Sequence, residues 1–213
     1  YMVWSYGQSA NAGWLESLDQ HFDNPNLFDK NWYDLNDIFS SAKSFPIWND
    51  GESYVMSITA EAQTMFANQN MLDAVGAGIP TTFDELLSTG KKLKSGDVAG
   101  VAMRSKADGS AGTWPCGGFV FSNGGVIIQD GKCMLDSPEA IEAVQYYGSI
   151  LNEAGPLGVG NYHWYECLND YMQEAVAIGL DSSNFATDIE NPEKSNAAGP
   201  VSYTHLRAHE THE

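Results

Sequence analysis

The sequence predicts an α/β fold with mostly parallel strands, and three observations carry that prediction. Apolar runs of strand length alternate along the chain with helices whose caps are readable. Two of the runs, residues 54–69 (YVMSITAEAQTMFANQ) and 176–185 (VAIGLDSSNF), carry polar residues at one end, as a strand does when it packs in a sheet and shows polar groups at its tip. The length of 213 residues and a hydrophobic content of 43% suffice for a buried core in one or two domains. The two runs read as crossings between lobes, with a small-molecule site where they meet.

In order, residues 2–4 read as the end of a buried strand, followed by a polar turn at residues 5–9 and a short helical approach to Gly13, Trp14 and Leu15. Ligands in open α/β sheets sit beyond the carboxyl ends of strands, which puts Tyr6 and Gln8 where a site could form. Residues 22–49 show no sustained period and read as irregular chain with one short helix over 34–41. A short helix over 68–76 closes at Gly76. Thr82, Phe83, Asp84 and Glu85 form a capping box, with Thr82 capping and Glu85 reaching back. Phe83, Leu86, Leu87 and Leu93 supply the apolar face of that helix. Lys91, Lys92 and Lys94 complement its dipole and Gly96 stops it.

Residues 99–103 read as a short buried strand and 104–112 as a loop at its carboxyl end. Thr113, Trp114 and Pro115 open a helix to about residue 123, with proline tolerated in the first turn. Ser137, Pro138 and Glu139 open the most regular helix, with Ile141, Val144, Ile150 and Leu151 on one face and Gly155 after it. A further helix runs over 164–172 and a returning strand over 176–180.

Charge excludes some function classes. Twenty-eight Asp and Glu against ten Lys and Arg give a net charge of −18, and no basic cluster offers a footprint for phosphates, which argues against nucleic acid and anionic membranes as partners. No apolar run reaches bilayer length, and residue 1 opens directly on a strand-like segment without the regions of a signal peptide. Cys116, Cys133 and Cys167 follow no CxxC pattern and read as buried free thiols. Six Trp, ten Tyr and nine Phe among abundant Asn, Gln, Ser and Asp suit carbohydrate, whose C–H faces stack on rings and whose hydroxyls bond planar polar groups.

Residues 201–213 differ in style from the rest. His205, His209 and His212 have spacings that could share a helical face and hold a metal, but the segment has no apolar face to dock it. Residues 202–211 also resemble translated sequencing-adapter sequence, so the tail is set outside the fold as a tag would be. No metal and no cofactor is expected.

Several features, in order, resemble a family. They are Ala12 to Glu16, Thr59 to Ala62 leading to Asn68, Gly78 to Leu86, Thr113 to Pro115, Ser137 to Ala140 and Ala177 to Asp181. They look like successive signatures of the sugar-binding extracellular solute-binding proteins of ABC importers, the relatives of maltose-binding protein. The similarity covers residues 1 to about 200. It implies two α/β lobes joined by hinge strands, a periplasmic-binding-protein-like fold here truncated at both ends. Residues 1–60 would be part of the amino-terminal lobe, 61–185 the second lobe, 186–200 a return toward the first and 201–213 a non-native tail.

The implied function is extracytoplasmic, periplasmic or lipid-anchored: a monomer that closes on a sugar or polyol and hands it to the permease of an importer. Matched position by position, Tyr6 and Gln8 lie in the loop that meets the ligand from the first lobe. Glu61 matches the hinge acid that accepts from hydroxyls, and Ser110 and Trp114 the aromatic-bearing loop and helix start. Asp181 matches a polar group, and Asn184 stands where relatives often place a stacking aromatic, with Phe185 beside it. Arg104 matches a basic residue of polyol-type members, whose guanidinium forks onto hydroxyls or a carboxylate. Trp164 is a candidate rim aromatic.

Each of these has a structural alternative. Glu61 could be a surface acid, Trp114 a core residue, Asp181 a cap after its strand, and Arg104 could pair with Asp108. The rival class is a glycoside hydrolase using paired carboxylates. Against it, the chain has no GxSxG, HExxH, phosphate loop or triad-like set, and His21 and His163 have no visible partners. A carbohydrate-binding module would be β-rich with turns at short intervals, which the capped helices contradict.

Overall fold

The structure, a computed structural model, describes residues 5–34, 36–108 and 111–204. These fall into two units, residues 1–60 and 61–213. The strand expected over residues 2–4 lies outside the described residues, as do His205, His209 and His212.

Unit 1 is a succession of short helices: α1 (Tyr6–Asn11), α2 (Asp19–Phe22), α3 (Lys30–Tyr33) and α4 (Ser40–Ser44). Helices this short gain little from their own propagation, so side-chain contacts must hold them. The stretch 5–9, expected as a turn, is helical from Tyr6 onward. Tyr6 is buried, its ring lies 5.7 Å from that of Phe45 and 5.3 Å from that of Trp48, and its hydroxyl donates to the Pro46 carbonyl. The helix expected over 34–41 is instead split. The Asp29 carboxylate accepts from the amides of Asn31 and Trp32 and starts α3 early, and Asp34, at φ 39°, turns the chain out of it.

Unit 2 contains a four-stranded sheet in the order β2-β5-β1-β6, built from β1 (Gln63–Asn68), β2 (Ala99–Met103), β5 (Val176–Ser182) and β6 (Val201–Thr204). A hairpin of β3 (Ile128–Gln129) and β4 (Lys132–Cys133) stands apart from it. The helices are α5 (Gln69–Ala74), α6 (Phe83–Leu93), α7 (Thr113–Ser122), α8 (Pro138–Ala154), α9 (Trp164–Met172) and α10 (Ala186–Ile189). The sheet is mixed, which corrects the expectation of mostly parallel strands. Among the described strands only β2 and β5 run parallel, joined by a crossover through α7, α8 and α9. The two runs singled out in the sequence are adjacent and antiparallel: β1 enters the sheet at the end where β5 leaves it, with Gln63 beside Ser182 and Thr64 beside Asp181.

The sheet separates two cores. On one side Met65, Ala67, Val101, Met103 and Ile178 pack with α6, α7 and α8. On the other, Phe66 meets Tyr171 edge-on at 4.7 Å and packs with Leu168, Phe185, Ile189 and Ala197. Residues 186–200, expected to return toward the first lobe, thus add Ile189 and Ala197 to a core of unit 2. Residues 201–204, expected outside the fold, pair with β1 as an edge strand, Val201 beside Asn68 and Tyr203 beside Phe66. Val201, Tyr203 and Thr204 are residue types that suit a half-covered strand.

The helix signals fare unevenly. Thr82 Oγ1 accepts from the Glu85 amide, but Glu85 reaches back one residue further than the motif expects, accepting from the Thr81 amide at 2.7 Å and the Thr81 hydroxyl at 2.8 Å. This holds the Glu85 carboxyl below the usual carboxylate range. In α8 the buried face is Ala140, Ala143, Ile150, Leu151 and Ala154, whereas Ile141 and Val144, expected inside, are exposed. A Cβ at Gly90 of α6 would lie 2.8 Å from the Ala154 Cβ, so the two helices touch through their smallest residues. The hairpin turns on Asp130 and Gly131, both at positive φ, the Asp-Gly pair that a tight two-residue turn favours. Of the three free cysteines only Cys167 is buried, which pushes its thiol pKa up; Cys133 is exposed and Cys116 partly so.

Candidate functional site

The parallel register that sets Met103 beside Leu180 carries the next residues of both strands, Arg104 and Asp181, to neighbouring places at the carboxyl end of the sheet, where α/β folds bind ligands. Arg104 forks onto Asp181. Its Nε lies 3.0 and 2.9 Å from the two carboxylate oxygens and its Nη2 lies 2.5 Å from Oδ1. The expected alternative partner, Asp108, is thus replaced by one that the strand register supplies.

The Asp181 side chain is fully buried and that of Arg104 is 15% exposed. Burial pushes the Asp181 carboxyl above its ordinary value, opposed by the Arg104 guanidinium and the Ser182 amide, which donates to Oδ1 at 2.7 Å. The guanidinium carbon stands 4.6 Å from the centroid of the Trp114 ring, a cation–π distance. Trp114 is partly buried at the first turn of α7, so it is neither a core residue nor a free rim ring.

Just before β1 the exposed Glu61 accepts from the Ser182 hydroxyl at 2.5 Å and from the Asn184 amide at 3.2 Å. Ala62 adds backbone ties: its amide donates to the Ser183 hydroxyl and its carbonyl accepts from the Ser183 amide. The two runs are therefore joined by side chains as well as by strand pairing. Beside them a cavity of about 80 Å³ is lined by Gln63, Thr64, Phe83, Trp114, Gly118 and Asp181, among others. Ligand pockets usually begin at roughly 300 Å³, so within unit 2 these residues form one wall and not an enclosure.

Of the predicted residues, Glu61, Arg104, Trp114, Asp181 and Asn184 come together around this wall. Trp164, at the start of α9, is 42% exposed and lies 6.1 Å from the ring of Phe185, which follows Asn184. Tyr6 and Gln8 belong to unit 1; Tyr6 is buried in its aromatic cluster and Gln8 is exposed. Ser110 lies outside the described residues. Sequence reasoning missed Ser182, Gln63 and Tyr147. Ser182 bonds Glu61, Gln63 donates to the Trp114 carbonyl at 2.6 Å, and the Tyr147 hydroxyl donates to the Arg104 carbonyl at 2.5 Å. Gln63 and Ser182 were visible as polar breaks in the two runs; nothing local marked Tyr147. Among the described residues no cluster of His, Cys, Asp and Glu could hold a metal ion, and no helix is long and apolar enough to cross a membrane.

A family model for bacterial extracellular solute-binding proteins matches residues 2–207. Among curated sequences, a binding protein of Brucella abortus (strain 2308) is 24% identical over 150 residues, covering 66% of this chain and 35% of its own. Among solved structures, an ABC transporter solute-binding protein from Agrobacterium radiobacter K84 in complex with ribitol has a TM-score of 0.84 at 24% identity, over 98% of this chain and 52% of that one. One from Agrobacterium vitis S4 with bound D-mannitol has 0.82 at 21%, over 98% and 49%. Maltose-bound MalE3 of T. maritima has 0.78 at 20%, over 92% and 49%. These likenesses establish the α/β fold of solute-binding proteins. The chain spans about half the length of those structures and 35% of the curated relative.

Proposed function

The chain belongs to the bacterial extracellular solute-binding proteins, and from that premise we propose that it binds a sugar or polyol outside the cytoplasm and delivers it to an ABC importer by hinge closure of two lobes. The observation that carries this reading is the wall at the carboxyl end of the sheet. There Arg104 and Asp181 are locked together against the Trp114 ring, and Glu61, just before β1, accepts from Ser182 and Asn184 at the end of β5 and just beyond it. Such a wall offers what a polyhydroxylated ligand needs: acceptors and donors in a fixed array, with an aromatic ring for its C–H faces. The ligands of the structural neighbours, ribitol, D-mannitol and maltose, belong to that class.

On this reading β1 and β5 are the hinge strands, residues 1–60 belong to the amino-terminal lobe and residues from 61 to the second. Closure is stabilised by contacts that exist only in the closed state, and the permease reads that state. The protein works as a monomer, periplasmic or lipid-anchored. Tyr6, Gln8, Ser110 and Trp164 join the ligand-contacting set from their own elements. No catalytic role is assigned. Asp181 is committed to Arg104 and Glu61 to two hydrogen bonds, which suits positioning better than the acid and base roles of a hydrolase.

Calorimetric titration of the full-length parent with ribitol, D-mannitol and maltose tests the proposal. Saturable heat from at least one of them is expected. Turnover of a glycoside with no saturable binding of any of the three would favour the hydrolase.

A further inference from the structure

Gln63 opens β1, three residues after the division between the units. It is exposed, and an exposed glutamine ordinarily keeps its rotamer freedom, which is costly to fix. Here two features fix it. Its Nε2 donates to the Trp114 carbonyl at 2.6 Å, and its amide lies against Gly118 one turn further along α7. A Cβ at Gly118 would overlap Oε1 and stand 2.8 Å from Cδ, so the amide occupies space that only a glycine leaves open.

The residue that receives the hydrogen bond is the one whose ring lies under Arg104, and the strand that donates it pairs Thr64 with Asp181. We propose that Gln63 is a positioning residue: its side chain pins the first turn of α7 to β1 and so sets where the Trp114 ring stands against the Arg104–Asp181 pair. Its consequence for ligand affinity rests on the binding reading above, whereas the pinning does not.

The test starts without ligand. In the whole chain, the indole Nε1–H resonance of Trp114, identified by its loss in Trp114→Phe, is compared in Gln63, Gln63→Glu and Gln63→Leu, together with amide exchange in α6, α7 and α8. Gln63→Glu keeps the shape but, ionised, has no donor for the carbonyl; Gln63→Leu removes the polar group altogether. Both are expected to move the indole resonance and to speed exchange of the amides of residues 117–120 about five- to tenfold, with α6 and α8 unchanged. An unmoved indole resonance, or equal acceleration in all three helices, would overturn the proposal. Gly118→Ala should displace the indole resonance when Gln63 is present and leave it in place in a Gln63→Ala background; an equal effect in both backgrounds also overturns it.

In the full-length parent, Gln63→Leu should weaken ribitol, D-mannitol or maltose binding about tenfold. An unchanged Kd alongside a moved indole would show that the position of Trp114 does not matter to the ligand. A parent that binds none of the three overturns the binding reading and leaves the pinning to be decided by resonance and exchange.

Discussion

The two units draw on similar apolar residues and use them differently. Among the described residues unit 1 buries a single hydrophobic side chain, Tyr6, and exposes others widely, Trp32 at 83% and Phe39 at 76%. It also leaves open, apolar-lined grooves of about 300 and 350 Å³, both touching Tyr33, Ile38 and Met56. Unit 2 buries whole strands, including all five residues of β2, and its site-side cavity holds about 80 Å³. The difference lies in the sheet. Short helices offer narrow apolar stripes with nothing flat to pack on, while a strand presents side chains to both faces and lets helices cover them. Aromatic content alone therefore does not make a core; unit 1 has the aromatics and lacks the surface that would collect them.

The largest test of this contrast is truncation of one aromatic in each unit. Phe66→Ala removes a ring buried between Tyr171 and Phe185 and should cost about 3–5 kcal/mol in urea unfolding, whereas Trp32→Ala should stay within about 0.5 kcal/mol. Equal costs would break the comparison.

A smaller effect concerns the charged wall. Asp181→Ala leaves Arg104 nearly buried without its partner and should cost about 3 kcal/mol, while replacing both, Arg104→Met with Asp181→Leu, should recover most of that. Failure of the double variant to recover would show that the pair contributes more to stability than its geometry implies.

The smallest effects belong to the cap of α6. Thr82→Ala should cost about 1 kcal/mol. Because hydrogen bonds from Thr81 hold the Glu85 carboxyl below its ordinary range, its contribution is present above that range and is lost as pH falls through the lowered value. Glu85→Gln should therefore flatten the acid side of the stability profile, and an unchanged acid limb would remove Glu85 as a contributor.

Much of unit 2 was legible because its signals are local. The Thr82 cap, the proline-led start of α8, Gly76 at positive φ after α5 and the polar ends of the two runs all act within a few residues of one another. What was not legible depends on contacts distant in sequence. The partner of Arg104 is fixed by the register of β2 on β5, 77 positions away, whereas the sequence offers only the nearer Asp108. Ile141 and Val144 match a helical face, but a close approach between α6 and α8 selects alanines instead, and no single-helix periodicity records that. The antiparallel course of β1 likewise follows from where the chain enters the sheet.

The proposed function rests on recognition of a polyhydroxylated ligand by the wall formed by Glu61, Trp114 and the Arg104–Asp181 pair. The most direct measurement is the Kd of the full-length parent for ribitol, D-mannitol and maltose beside that of its Glu61→Gln variant. Glu61→Gln keeps the size of the side chain and removes the charge that strengthens its hydrogen bonds. Saturable binding of at least one of the three is expected, weakened about tenfold or more in Glu61→Gln with the unfolding midpoint nearly unchanged; equal Kd values for parent and variant would contradict recognition by this wall.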